Sequence, residues 1–97
     1  TGIVNNNEIP AQYSLSQNYP NPFNPNTVIN YQIKNQENVS IKIYDMLGKV
    51  VMTLVNENQS AGNYSVSFDG SRLSSGLYYY KLQSGDFSDT KKMLLVK

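Results

Sequence analysis

The chain has 97 residues, a formal net charge of +1, and neither histidine nor cysteine. That length holds one modest core and not two, while the missing residue types remove the commonest general base, the commonest metal ligand, thiol chemistry and disulfides. Lys34, Lys42, Lys49 and Lys81 are scattered, and only Lys91, Lys92 and Lys97 gather, which argues against nucleic acid as a partner because phosphates call for a concentrated positive face.

Thr1 to Gln12 is polar and aperiodic, with an Asn5-Asn6-Asn7 run and Pro10. It reads as a linker from an upstream domain, leaving 13–97 as the folded unit. No apolar run approaches the ~20 residues of a membrane helix. No signal-peptide pattern opens the chain, so the sequence reads as a piece of a longer protein. Tyr13 to Gln17 alternates weakly and predicts a short edge strand.

Asn18-Tyr19-Pro20-Asn21-Pro22-Phe23-Asn24-Pro25-Asn26-Thr27 divides the chain. Its three prolines fix φ, remove donors and push the preceding residues to extended conformations, so neither a helix nor a central strand forms here. A stiff extended arm is expected, with the rings of Tyr19 and Phe23 available to dock.

Period-two alternation follows. Ile29, Tyr31 and Ile33 share one strand face, and Val39, Ile41 and Ile43 share another, with a polar turn over Lys34–Asn38 between them. Gly48 stands where a tight turn needs positive φ. Val50 to Val55 is apolar without strict alternation, which predicts a bulged strand or one covered on both faces. Ala61-Gly62-Asn63 is expected to turn into a strand carrying Tyr64, Val66 and Phe68, closed at Asp69-Gly70. Gly76 serves a turn before Leu77–Leu82, in which Tyr78, Tyr80 and Leu82 point inward and Tyr79 and Lys81 outward. Ser84-Gly85-Asp86 is a hairpin turn, and Thr90 to Lys97 is a last strand with Met93 and Leu95 on one face. About six strands of roughly 5–8 residues after the arm, plus the edge piece, predict an all-β, immunoglobulin-like antiparallel sandwich of about seven strands in a single domain.

Chemistry is scarce on this scaffold. A Ser–Lys or Thr–Lys pair is the one nucleophilic arrangement left, but the serines sit in turns and on solvent faces. The carboxylates occupy turns, where they bond the backbone, and no calcium loop of the D-x-[DN]-x-[DN]-G type is present. No catalytic residue, cofactor or metal is expected. The Tyr78-Tyr79-Tyr80 run raises a carbohydrate-binding accessory module of a secreted enzyme as one alternative, and a structural spacer is another. Lys91-Lys92-Met93-Leu94-Leu95-Val96-Lys97 reads either as the last strand, guarded by lysines against edge pairing, or as an address.

Five stretches in order carry a family resemblance: Asn18–Pro25; Ile43-Tyr44-Asp45-Met46-Leu47-Gly48-Lys49-Val50-Val51; Ala61-Gly62; Ser75-Gly76-Leu77-Tyr78-Tyr79-Tyr80-Lys81-Leu82; and Lys92–Lys97. From about Leu15 to Lys97 the chain resembles the type A C-terminal sorting domain of the type IX secretion system. A related immunoglobulin-like domain occurs in flagellar hook-capping proteins, but the proline arm and the lysine-ended terminus favour the sorting family.

The resemblance implies a non-catalytic signal on secreted cargo of Gram-negative bacteria. The cargo would cross the periplasm, pass the outer-membrane type IX translocon, and be anchored at the cell surface. A sortase-like protease would cut in or before the 1–12 linker. Lys92, Met93, Leu95, Val96 and Lys97 match the terminal motif associated with translocon recognition. Met93 and Leu95 are expected to hold the strand while the lysines and outward face meet the machinery. Addition of a partner strand to the exposed end is a further expectation.

Overall fold

The computed structural model describes residues 12–97. The expected linker therefore lies outside the described residues except for Gln12. Seven strands follow in order: β1 (Ser14–Leu15), β2 (Asn26–Ile33), β3 (Glu37–Tyr44), β4 (Val50–Gln59), β5 (Gly62–Asp69), β6 (Gly76–Ser84) and β7 (Phe87–Leu95). No helix occurs among the described residues. A three-stranded sheet ordered β1-β2-β5 faces a four-stranded sheet ordered β4-β3-β6-β7, and every pairing between these strands is antiparallel. Relative to the constant-type immunoglobulin division, the fourth strand lies on the edge of the third and not on the opposite sheet.

Alternation decides the packing. Ile29, Tyr31 and Ile33 of β2 face Val39, Ile41 and Ile43 of β3 and Tyr78, Tyr80 and Leu82 of β6, all buried. Phe68, Met93, Leu95, Leu15 and Phe23 complete this core. Burying each such side chain is worth about 1.5–3 kcal/mol, which is why a period-two pattern fixes the register so firmly.

Tyr78 and Tyr80 satisfy their hydroxyls inside the fold. The Tyr78 hydroxyl donates to the Ser74 carbonyl four residues upstream, at 2.8 Å, the tyrosine corner of immunoglobulin-like sandwiches. Tyr64 repeats the device at the start of β5, donating to the Ser60 carbonyl at 2.5 Å. Burial commits the rings of Tyr78 and Tyr80 to the core, so those two offer no stacking platform for a sugar.

Several boundaries differ from the sequence reading. Gly62 and Asn63 pair with Ile33 and Gln32, so the turn lies at Ser60-Ala61 and the two strands around it are longer than expected. The last strand begins at Phe87 and ends at Leu95, leaving Val96 and Lys97 beyond it. The hairpin at Gly85 (φ 58°) sets that start, because Ser84 pairs with Phe87 directly. The irregular β4 is bulged and not doubly covered: register shifts opposite Ile41/Lys42 and Ile43/Tyr44 skip Leu54 and Val51, and β4 is an edge strand.

Candidate functional site

Two segments far apart in sequence, the proline arm and the last strand, meet along one edge of the molecule. Phe23 and Leu95 form a parallel bridge: the Phe23 amide donates to the Leu94 carbonyl and the Val96 amide to the Phe23 carbonyl, each at 2.9 Å. Arm side chains take the neighbouring edge groups. Asn21 Oδ1 accepts from the Leu94 amide at 3.0 Å, and Gln17 Nε2 donates to the Lys92 carbonyl at 2.6 Å. The edge of β7 from Lys92 to Val96 is thus already paired within the chain. Strand addition at that end, expected from the sequence, would need the arm to leave.

The arm is fastened elsewhere as well. Tyr19 exchanges two backbone bonds of 3.0 Å with Val28 of β2, and the Tyr80 hydroxyl donates to the Ser16 carbonyl at 2.6 Å. Burial pushes the Tyr80 phenol up to about 12, with the charge of Asp89 adding and a backbone hydrogen bond from the Asn18 region opposing. Gly70 donates to the Pro25 carbonyl at 2.8 Å. A Cβ at Gly70 would stand 3.1 Å from Leu95 and 3.3 Å from Phe23, so a glycine lets the loop close over both. Phe23 is 1 % exposed and tilts onto Phe68 with ring centroids 5.8 Å apart.

Sequence reasoning paired Tyr19 with Phe23 as docking rings, and here the structure differs. Tyr19 is 80 % exposed and contributes its backbone alone, because the bridge to β2 turns its side chain out to solvent. The residue that the sequence reading missed is Asn18. It is buried, donates to Thr27 Oγ1 at 3.0 Å and to the Pro20 carbonyl at 3.1 Å, and accepts from Gln17 at 2.7 Å. An asparagine just ahead of an aromatic–proline step is the signal that was available.

Along the last strand the alternation sorts the motif residues. Met93 and Leu95 are each 1 % exposed and belong to the core, while Lys92, Leu94, Val96 and Lys97 are exposed. Lys97 is tethered: its amide donates to Ser75 Oγ at 3.1 Å and its Nζ to the Ser71 carbonyl at 2.7 Å. Gly48 (φ 84°) holds the positive φ that its turn requires, whereas Gly76 (φ 152°), expected in a turn, is the first residue of β6 and pairs with Leu95. Among the described residues no three acids cluster closely enough to hold a metal ion, and no helix is long and apolar enough to cross a membrane.

Fold and arm together define a class: a small β-sandwich whose last strand is strapped by its own N-terminal segment and presents an alternating, lysine-bearing outer face. Residues 17–97 match the family described as the secretion system C-terminal sorting domain, and the chain belongs to that family. It is a sorting signal for type IX secretion, which implies an attached cargo upstream and export to the exterior or surface of a bacterium. No curated protein and no solved structure matches the chain.

Proposed function

We propose that the folded domain of 13–97 acts without catalysis, as the part of a cargo protein that the outer-membrane translocon reads after transit through the periplasm of a Gram-negative cell. Residues 1–12 link it to the cargo. Lys92, Val96 and Lys97 meet the machinery, while Met93 and Leu95 position the strand from inside the core. A sortase-like protease then cuts at or before the linker and leaves the cargo anchored on the surface. The observation that carries this reading is the alternation along β7, which commits Met93 and Leu95 to the core and keeps Lys92 and Val96 in solvent. Lys91 and Asp89 lie on the inward parity of the strand, so recognition falls to the other face.

A pulse–chase of a periplasm-targeted reporter fused to the chain tests the order of events. The reporter should appear first in the periplasm at full length and later at the surface, shortened by this domain. A surface reporter that still carried Lys97 would contradict the proteolytic step.

A further inference from the structure

The lysines that lie apart in sequence come together on the sheet. The register pairs Lys42 of β3 with Lys81 of β6, and the adjoining rung runs Tyr44, Tyr79, Lys92 across three strands. All five carry the outward parity, because their neighbours Ile41, Ile43, Tyr80, Leu82 and Met93 are buried. Directly opposed like charges cost stability in a sheet. Among the described residues no acid within the strands of this sheet shares the outward parity: Glu37, Glu57 and Asp89 alternate with it, Asp86 lies in the β6–β7 turn, and Asp45 lies in the β3–β4 turn, accepting from the Leu47 and Lys49 amides at 2.9 Å. The outer face of the other sheet is unlike it. There Asn30 pairs with Ser65 and Gln32 with Asn63, amides and hydroxyls, and the charge in that ladder is an acid, Asp69 opposite Asn26.

An apolar ledge borders the lysines. The next rung pairs Leu77 with Leu94. The β3–β4 turn packs beside it, so that Met46, Leu47, Gly76 and Leu77, with Asp45 at one side, line a shallow cleft of about 230 Å³. Leu47 is 92 % exposed and Met46 68 %. The turn is held rigid by the Asp45 bonds, by the Gly48 amide donating to the Asp45 carbonyl at 3.0 Å, and by the positive φ of Gly48. A fixed turn that holds two large apolar side chains in water does nothing for the sandwich, but it lowers the ordering cost of binding.

We propose that this outer face, Lys42, Lys81 and Lys92 beside the Leu47–Leu77 cleft, is a docking surface for an acidic protein partner that inserts an apolar side chain. The inference rests on the reading of the chain as an export signal. Unneutralised lysines supply charge complementarity and steer encounter. A desolvated apolar anchor next to aromatic rings is the usual centre of a protein–protein contact. A polyanionic glycan or a lipid headgroup surface would use the lysines but gain little from Leu47.

The test uses the full Thr1–Lys97 chain on a periplasm-targeted reporter in type IX-competent cells, with each variant first shown to melt like the parent. Lys42→Glu/Lys81→Glu should lower surface appearance by more than about tenfold. Lys34→Glu/Arg72→Glu, with the same change in net charge away from the face, should export normally. Leu47→Asn, at a side chain that holds nothing in the fold, should lower export several-fold. Loss with the lysine pair but normal export of Leu47→Asn would overturn the protein partner in favour of a polyanionic surface. Normal export of both would overturn the docking face while leaving the sorting function intact. Failure of the unaltered reporter to leave the periplasm would remove the sorting reading and, with it, this surface.

Discussion

Replacing Phe23 with alanine tests whether a single ring pins the arm. Phe23 is buried against Phe68 and Leu95, beneath a loop that closes only because Gly70 lacks a side chain. Truncating such a ring removes its transfer free energy and leaves a cavity between two aromatic and aliphatic neighbours, a loss of about 3–5 kcal/mol. Against the roughly 5–15 kcal/mol that holds a domain of this size together, that is a large fraction. At about 4–8 °C per kcal/mol, the melting temperature should fall by at least about 12 °C. Tyr19→Ala is the control. Its ring is in solvent and its two bonds to Val28 are backbone bonds, so the change should stay within about 0.5 kcal/mol. Urea unfolding followed by far-ultraviolet circular dichroism measures both, with an unchanged slope showing that stability alone has moved. A Phe23→Ala loss below about 1 kcal/mol, or a Tyr19→Ala loss equal to it, would refute the account of how the arm is held.

Tyr80 makes stability depend on alkaline pH. Its phenol titrates at about 12 in the fold against 10.0 for the unperturbed group. Between those values the unfolded chain has released a proton that the folded chain keeps, so raising the pH favours unfolding. The contribution is fully present below pH 10 and is lost by about pH 12. Burial also raises Tyr31, which acts in the same direction. Urea midpoints across this range should fall steeply for the parent and less steeply for Tyr80→Phe, and equal slopes would contradict the assignment. Gly70→Ala should cost about 1–3 kcal/mol by overpacking against Leu95 and Phe23. A thermal melt unchanged by that substitution would mean that the loop yields freely.

Much of the architecture is visible in the chain because one face of each strand is buried. Ile29-Tyr31-Ile33, Val39-Ile41-Ile43 and Tyr78-Tyr80-Leu82 alternate cleanly, and a one-residue slip would turn each set into solvent. Boundaries were harder where two rules compete. Asp89 and Lys91 occupy inward positions near the open edge of β7 and so disguise its first half. Gly62 and Asn63 carry turn chemistry yet pair in the ladder, where the partner strand decides. The arm shows the same division. Its prolines announce a stiff extended segment, but which ring is buried depends on the bridge between Tyr19 and Val28, a contact that no local pattern encodes.

The candidate site was least legible where it depends on which strands are neighbours. Lys42 and Lys81 look like isolated surface charges until β3 and β6 lie side by side. Likewise, the last strand looked free for a partner because nothing in Lys91–Lys97 reveals that Gln17, Asn21 and Phe23 occupy its edge. Burial of Met93 and Leu95, by contrast, follows from alternation alone.

The central claim is that this sandwich directs an attached protein through the type IX system. The most direct measurement is the surface fraction of a periplasm-targeted fluorescent reporter carrying Thr1–Lys97, compared between isogenic cells with and without a working translocon. The account predicts surface fluorescence in the competent cells, and reporter held in the periplasm where the translocon is missing. Equal distribution in the two strains, whether both retained or both exported, would contradict it.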